Sequence, residues 1–377
     1  MFSEKDLYFA SEFLDKVVKK VSVMAPEIGS NFPTTNSRLG TWDPKGETAN
    51  ISSWTTAFWP GMMWLMYIKT GDETYKKIAE GCEEKLDEAF DIFKYIHHDV
   101  GFMWSLSALA DYKLTGNEKS RDRAMHAATI LAGRFNHVAG YIRAWDHSSM
   151  KWAIIDCMMN IPLLSWASEE SKDPRFRQIA EAHADTAKRC FVRPDGSVNH
   201  VVEFDPETGE VLATPKGQGY APGSSWSRGQ TWALYGFTLA YLNLGKREYL
   251  DTAKKIAHYF IANLEPNELP RVDFRAPTEP IYRDASAASI AVCGLLEIAK
   301  AVPEFEKQMY ERAAMSLLHT LSENCNFKED ELRLLENSSS AYHSPLGMHM
   351  PWIFGDYYLL EALMKLYGND GRFTIHK

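Results

Sequence analysis

Apolar residues recur at helical spacing along nearly the whole chain, and counting the segments predicts about twelve helices. They are expected to begin near residues 4, 54, 73, 99, 118, 152, 173, 227, 247, 284, 303 and 355. No sustained strand-like alternation competes with them. Only Gly196–Thr214, with Pro-Glu-Thr-Gly-Glu in its middle, reads as a β-hairpin. The segments Tyr67–Gly81, Tyr112–Ala128 and Tyr241–Phe260 share one layout: an aromatic or Leu, a Gly turn, then a polar start to a new amphipathic helix. Trp166–Ala184 and Ile298–Ala314 repeat it with Lys-Asp-Pro or Val-Pro at the turn. Gly favours the left-handed residue that closes a helix, and Pro opens one because its missing N–H is unpaired there in any case.

Two kinds of helix alternate. The even-numbered ones contain stretches such as SLSALADYKL, TWALYGFTLAYL and DASAASIAVCGLLEIA, apolar or small nearly all round. The odd-numbered ones, such as DPRFRQIAEAHADTAKR, carry charge on one face. A helix apolar on every side is buried and an amphipathic one lies outside. Six hairpins built this way predict an all-α fold, an (α/α)6 barrel with an inner and an outer ring, rather than an open solenoid. No Pro-, Gly- or Ser-rich linker divides the chain, so residues 1–377 are expected to form a single domain.

Composition narrows the function classes. No run of 18 apolar residues exists, which argues against a membrane span. A formal net charge of -9 argues against nucleic acid, because no basic patch would neutralise phosphates. Five scattered cysteines without a CxxC pair argue against a disulfide framework or a zinc knuckle. The opening MFSEKDLYFASEFLDKVVKK reads as an amphipathic helix rather than a signal peptide, so a cytoplasmic location is expected. Many of the eleven tryptophans lie beside Gly, Ser, Asp or His, as they do where sugar rings stack on indoles.

The candidate chemistry sits at the starts of the inner helices. In KWAIIDCMMNIP the carboxyl of Asp156 stands among Ala153, Ile154, Ile155, Cys157 and Met158. Burial of an ionised carboxylate is costly, so such a group finds a partner or keeps its proton. In a barrel of parallel inner helices, Trp54, His98, Asp99, Asp156, Trp226, Arg228, Trp232 and Arg283 would meet at one mouth. Six positive helix ends would point there too. Asp99, Asp284 and Asp356 also fit as caps or first-turn carboxylates, and Arg228 fits as the partner of a core carboxylate. His97 and His98 lack the HxH, HExxH and Cys/His spacings, so neither a metal nor another cofactor is expected. One carboxyl in an apolar setting and another in a polar one, ringed by indoles, suggest glycosidic chemistry.

At these clusters the sequence resembles the unsaturated glucuronyl hydrolases of glycoside hydrolase family 88. The ordered matches are Trp54-Thr55 with Phe58-Trp59 and Gly61, His97-His98-Asp99 with Gly101-Phe102, Ala144-Trp145, and Ile155-Asp156-Cys157 with Asn160 and Pro162. They continue through Glu203-Phe204-Asp205-Pro206, Trp226 with Arg228-Gly229-Gln230, Tyr282-Arg283-Asp284, Tyr342-His343 and Gly355-Asp356-Tyr357-Tyr358. The resemblance implies an (α/α)6 barrel and a substrate made by polysaccharide lyases, an oligosaccharide ending in a 4,5-unsaturated uronic acid. It implies that Asp156 protonates C4, that water adds at C5, and that the hemiketal opens and expels the remaining chain. Asp99 becomes the second essential carboxylate, with His200 and Gln218 holding sugar and water. Trp54, Trp145, Trp226 and Trp232 become stacking walls, Arg228 and His98 hydrogen-bond the sugar, and Tyr342-His343 closes the site. Relatives that favour sulfated chains carry a Ser and Lys set near the C-terminus. Here no Lys or Arg lies between Arg333 and Lys365, which argues against such a preference. A rhamnogalacturonyl hydrolase acting on pectin fragments, and a sugar epimerase or binding protein on the same barrel, are the rival readings.

Overall fold

The computed structural model describes residues 2–36, 41–47, 49–92, 95–145 and 151–367. Its helices are α1 (Glu4–Ile28), α2 (Phe58–Thr70), α3 (Glu73–Asp91), α4 (Val100–Trp104), α5 (Ala110–Thr115), α6 (Glu118–Gly133) and α7 (Pro162–Ser171). They continue with α8 (Pro174–Cys190), α9 (Ser227–Leu244), α10 (Arg247–Ala262), α11 (Ala285–Ala301), α12 (Glu304–Glu323) and α13 (Ile353–Tyr367). A π turn, Ser105–Leu109, joins α4 to α5, so these two make one inner helix.

The ring closes through side-by-side packing of α2, α4–α5, α7, α9, α11 and α13, with α13 returning to α2. Outside them lie α3, α6, α8, α10, α12 and α1, each against its inner partner, the first helix of the chain pairing with the last. The two rings differ as their patterns require. In α3 the buried positions include Tyr75, Ala79, Cys82, Leu86 and Ala89, spaced three or four apart along one face. In α11 every residue from Ala285 to Ala299 is buried. Gly236 and Gly294 let inner helices touch: a Cβ there would come 2.5 Å from Met158 and 2.2 Å from Leu234, respectively.

Inner-to-outer turns are short and punctuated as expected. Gly71, Gly116 and Gly245 adopt positive φ at helix ends. Asp72, Asn117 and Asp173 then cap the next helix by accepting from the N–H two residues on. The returns from outer to inner helices are long, and they build the mouth.

Among the described residues these returns hold seven short strands in three antiparallel sheets: β1 (Thr34–Asn36) with β2 (Thr41–Asp43), β3 (Phe135–Asn136) with β4 (Tyr141–Ile142), and β5 (Trp152–Ile154) with β6 (Val201–Phe204) and β7 (Val211–Ala213). The expected hairpin is β6–β7, joined at its other edge by β5 in the register Trp152↔Glu203, Ala153↔Val202, Ile154↔Val201. One expectation fails here. The helix placed near residue 152 begins only at Pro162, after strand β5 and a 3-10 turn, Ile155–Met159. Aromatic and β-branched side chains suit the strand, and Pro162 supplies a helix start without needing its N–H. Among the described residues no helix is long and apolar enough to cross a membrane.

Asp284 and Asp356 serve the fold. Asp284 caps α11, accepting from the N–H of Ser286 at 3.1 Å. Asp356, fully buried in the first turn of α13, accepts from the N–H of Leu335 at 2.8 Å. Burial pushes its carboxyl up to about 8. The folded protein therefore holds this proton where the unfolded chain has released it, and stability from this group falls as pH rises from about 4 towards 8. Asp356→Asn keeps an acceptor but no titration, so its melting temperature should gain on the wild type as pH rises from 5 to 8. A constant difference across that range would refute the assignment.

Candidate active site

Two acidic residues open the site, and one amide ties them together. Asp99 immediately precedes α4, and Asp156 lies in the 3-10 turn before α7. The Asn160 side-chain N–H donates to Asp99 Oδ1 and to the backbone oxygen of Asp156, both at 3.3 Å. Its own oxygen accepts from the N–H of Phe102 at 2.7 Å. Gly101 makes room for this clasp, since a Cβ there would come 2.4 Å from Asn160 Cβ.

Asp99 is nearly buried, with His97 Nδ1 3.2 Å from Oδ2 and His98 Nε2 3.5 Å from Oδ1. Burial pushes its carboxyl up, but the facing His98 and His97 rings and the Asn160 amide outweigh this and hold it at about 2. Burial also drives fully buried His98 down to about 4, leaving that ring uncharged at neutral pH. Asp99 is thus ionised at neutral pH. His97, His98 and Asp99 bring one potential ligand atom each within 4.8 Å of one another. Asp99 Oδ1 is already engaged by Asn160, and no fourth such donor joins the group among the described residues.

Asp156 departs from its expected setting. Ile155 and Cys157 on either side are fully buried, but the Asp156 side chain turns out of the apolar run, remains 14% exposed and lies 3.3 Å from His200 Nε2. The 3-10 turn causes this, because consecutive residues there point in different directions. The case for Asp156 as proton donor therefore rests on position, not on an apolar pocket. His200 in turn is set by the loop after β7. The Gln218 N–H donates to His200 Nδ1 at 3.0 Å, so a neutral ring carries its proton on Nε2, the nitrogen facing Asp156. Gly217 makes that contact possible. Its φ is +55°, and a Cβ would meet His200 Nδ1 at 2.0 Å.

These groups line one cavity of about 570 Å³. Of the residues singled out from sequence, Trp54, Asp99, Trp145, Asp156, His200, Gln218, Trp226 and Arg228 face it. Four others do not. Trp232 is fully buried beneath the cavity, edge-on to Trp54 at 6.3 Å, so it is floor rather than wall. His98 stands behind Asp99, leaving His97 to line the cavity. Tyr342 and His343 brace the rim: the Tyr342 N–H donates to the Gln218 carbonyl at 2.9 Å, and His343 Nε2 lies 2.7 Å from the Tyr220 carbonyl oxygen. Arg283 points elsewhere, to Glu265 and Glu268.

Arg228 is the partner of a core carboxylate and also lines the cavity. It pairs with Asp284 at 2.9 Å, donates to the Ser339 and Ser340 carbonyls, and lies over the Trp226 ring at 4.5 Å. Residues not assigned to the site from sequence also line the cavity: His97, Trp152, Ile154 and Pro215–Gly217. The period-two spacing of Trp152 and Ile154 was the available signal, but it spans too few residues to outweigh the helical pattern.

The matches to known proteins agree with this geometry. Residues 30–358 match the model of Glycosyl Hydrolase Family 88. An unsaturated glucuronyl hydrolase of Bacillus sp. (strain GL1) is 40% identical over 325 residues, covering 84% of this chain and 86% of that one. An unsaturated chondroitin disaccharide hydrolase of Streptococcus pyogenes is 35% identical, covering 97% of this chain and 92% of its own. The crystal structure of the unsaturated glucuronyl hydrolase from Bacillus sp. GL1, described as responsible for the degradation of glycosaminoglycan, superposes with a TM-score of 0.88 at 36% identity. That superposition covers 95% of this chain and 96% of the other, and its fold is the (α/α)6 barrel. With the family model spanning most of the barrel and both carboxylate turns inside the match, the chain belongs to glycosyl hydrolase family 88.

Proposed function

We propose that this protein removes the 4,5-unsaturated uronic acid from the non-reducing end of lyase-generated oligosaccharides of glycosaminoglycan type. The observation that carries the reading is the pair Asp99 and Asp156, joined by Asn160 and facing one tryptophan-walled cavity. The unsaturated sugar is an enol ether, so its electron-rich carbon is C4. Asp156 gives a proton to C4, positive charge develops at C5 and the ring oxygen, and ionised Asp99 stabilises that charge. Water adds its oxygen at C5 and returns a proton to Asp156. The resulting hemiketal opens to a C5 ketone and releases the rest of the saccharide from C1. His200 Nε2 lies 3.3 Å from Asp156 Oδ2, without hydrogen-bond alignment, and borders the carboxyl that gives the proton. The five free cysteines suit a reducing, cytoplasmic compartment.

Loss of the ultraviolet absorbance of the conjugated double bond tests the reading. Unsaturated disaccharides from chondroitin, hyaluronan and heparin should lose it on incubation with the protein, and lyase-made pectin fragments should not. Persistence of the absorbance with every glycosaminoglycan substrate would overturn the assignment. Loss with pectin fragments alone would favour the rhamnogalacturonyl reading.

A further inference from the structure

The start of α4 divides its labour in an uncommon way. A helix leaves its first N–H groups without partners of its own, and the residue before it ordinarily supplies an acceptor from its side chain. Asp99 holds that place and is a residue type suited to it, yet its side chain makes no capping bond. The Val100 and Gly101 N–H groups donate to the His97 and His98 carbonyls. The next, that of Phe102, donates to the side-chain oxygen of Asn160 at 2.7 Å, from 58 residues further along the chain.

The Asn160 side chain has only one workable orientation. Its oxygen faces an N–H, so its nitrogen faces Asp99 Oδ1 and the Asp156 backbone oxygen, both of which accept. Gly101 closes against its Cα and Cβ and leaves it little room to turn. Asn160 is also fully buried and is not among the described residues that line the cavity, so it does not touch substrate.

We propose that Asn160 is a positioning residue for the reaction proposed above, on which its role depends: by capping α4 in place of Asp99, it frees the Asp99 carboxylate for the cavity and fixes it relative to Asp156. Without Asn160 the buried Phe102 N–H lacks an acceptor, a cost that draws in the carboxylate three residues before it. Asp99 then caps its own helix and leaves the cavity. Asn160 therefore acts through Asp99 and takes no part in the proton transfer itself.

The test is a double-mutant cycle on kcat for an unsaturated chondroitin disaccharide, using wild type, Asn160→Ala, Asp99→Asn and the double variant. Asn160→Ala should lower kcat roughly a hundredfold, as loss of a preorganised charge does, and leave KM within about threefold. The double variant should be no slower than Asp99→Asn, because the two changes remove the same contribution. Losses that multiply would make Asn160 a packing residue and overturn the proposal. Asn160→Asp keeps the shape and the capping oxygen, and so gives an answer even if the alanine variant does not fold. Ionised, its carboxylate repels Asp99; protonated, it again donates to Asp99 Oδ1. Its kcat relative to wild type should therefore rise about tenfold as pH falls from about 8 to about 5. A ratio that does not change with pH overturns the positioning role. A wild type inactive on every glycosaminoglycan disaccharide overturns the proposed function and this proposal with it, whereas an active wild type with multiplying losses overturns this proposal alone.

Discussion

Asp156→Asn should lower kcat on unsaturated disaccharides by about a thousandfold, within the range general acids contribute. An amide has nearly the shape of a carboxyl but no proton acidic enough to give to carbon. The residue lies at the cavity wall, outside the close-packed core, and only its backbone oxygen is hydrogen-bonded by Asn160. The melting temperature should therefore move by no more than about two degrees. Binding should survive as well, since the stacking proposed for Trp54, Trp145 and Trp226 does not depend on the charge. Calorimetric titration of the variant with an intact disaccharide would then give a dissociation constant close to the wild-type KM. Turnover within tenfold of wild type would remove Asp156 from the acid role and shift attention to His97 or His200, the titratable rings that line the same cavity.

Asp99→Asn should cost about a hundred- to a thousandfold in kcat by a different route, the loss of a negative charge facing the developing cation. Its signature is the pH profile. Asp99 is held near 2, so it is already ionised throughout the range in which activity would be measured. The variant's profile should drop in height and keep its shape. Stability carries a second signature. A depressed carboxyl contributes stability that is complete above its unfolded value near 4 and lost as pH falls towards 2. Between those values the wild type should lose melting temperature faster than Asp99→Asn. A variant profile with a displaced acid limb would mean that Asp99 titrates during catalysis, contrary to its setting.

The hairpin count was legible because each inner-to-outer turn carries local chemistry: Gly71, Gly116 and Gly245 at helix ends, and Asp72, Asn117 and Asp173 at helix starts. These signals act over three or four residues and need no distant partner. The division into rings was legible too, since α11 is apolar all round and α3 on one face only. The start of α7 was not. Trp152–Ile154 forms a strand only because Val201–Glu203, some fifty residues later, pairs with it. A partner so far along the chain leaves no mark on local periodicity.

The same boundary runs through the site. The sequence alone determined an all-helical barrel of six hairpins and the family, and it singled out the two carboxylates as candidates, because burial patterns and ordered motifs are properties of the chain itself. Direction was decided in three dimensions. Asp156 leaves its apolar run for His200, His98 retires behind His97, and Trp232 becomes floor. Each outcome depends on which way one side chain points where several segments converge. That is settled by packing between residues far apart in sequence, and no local spacing encodes it.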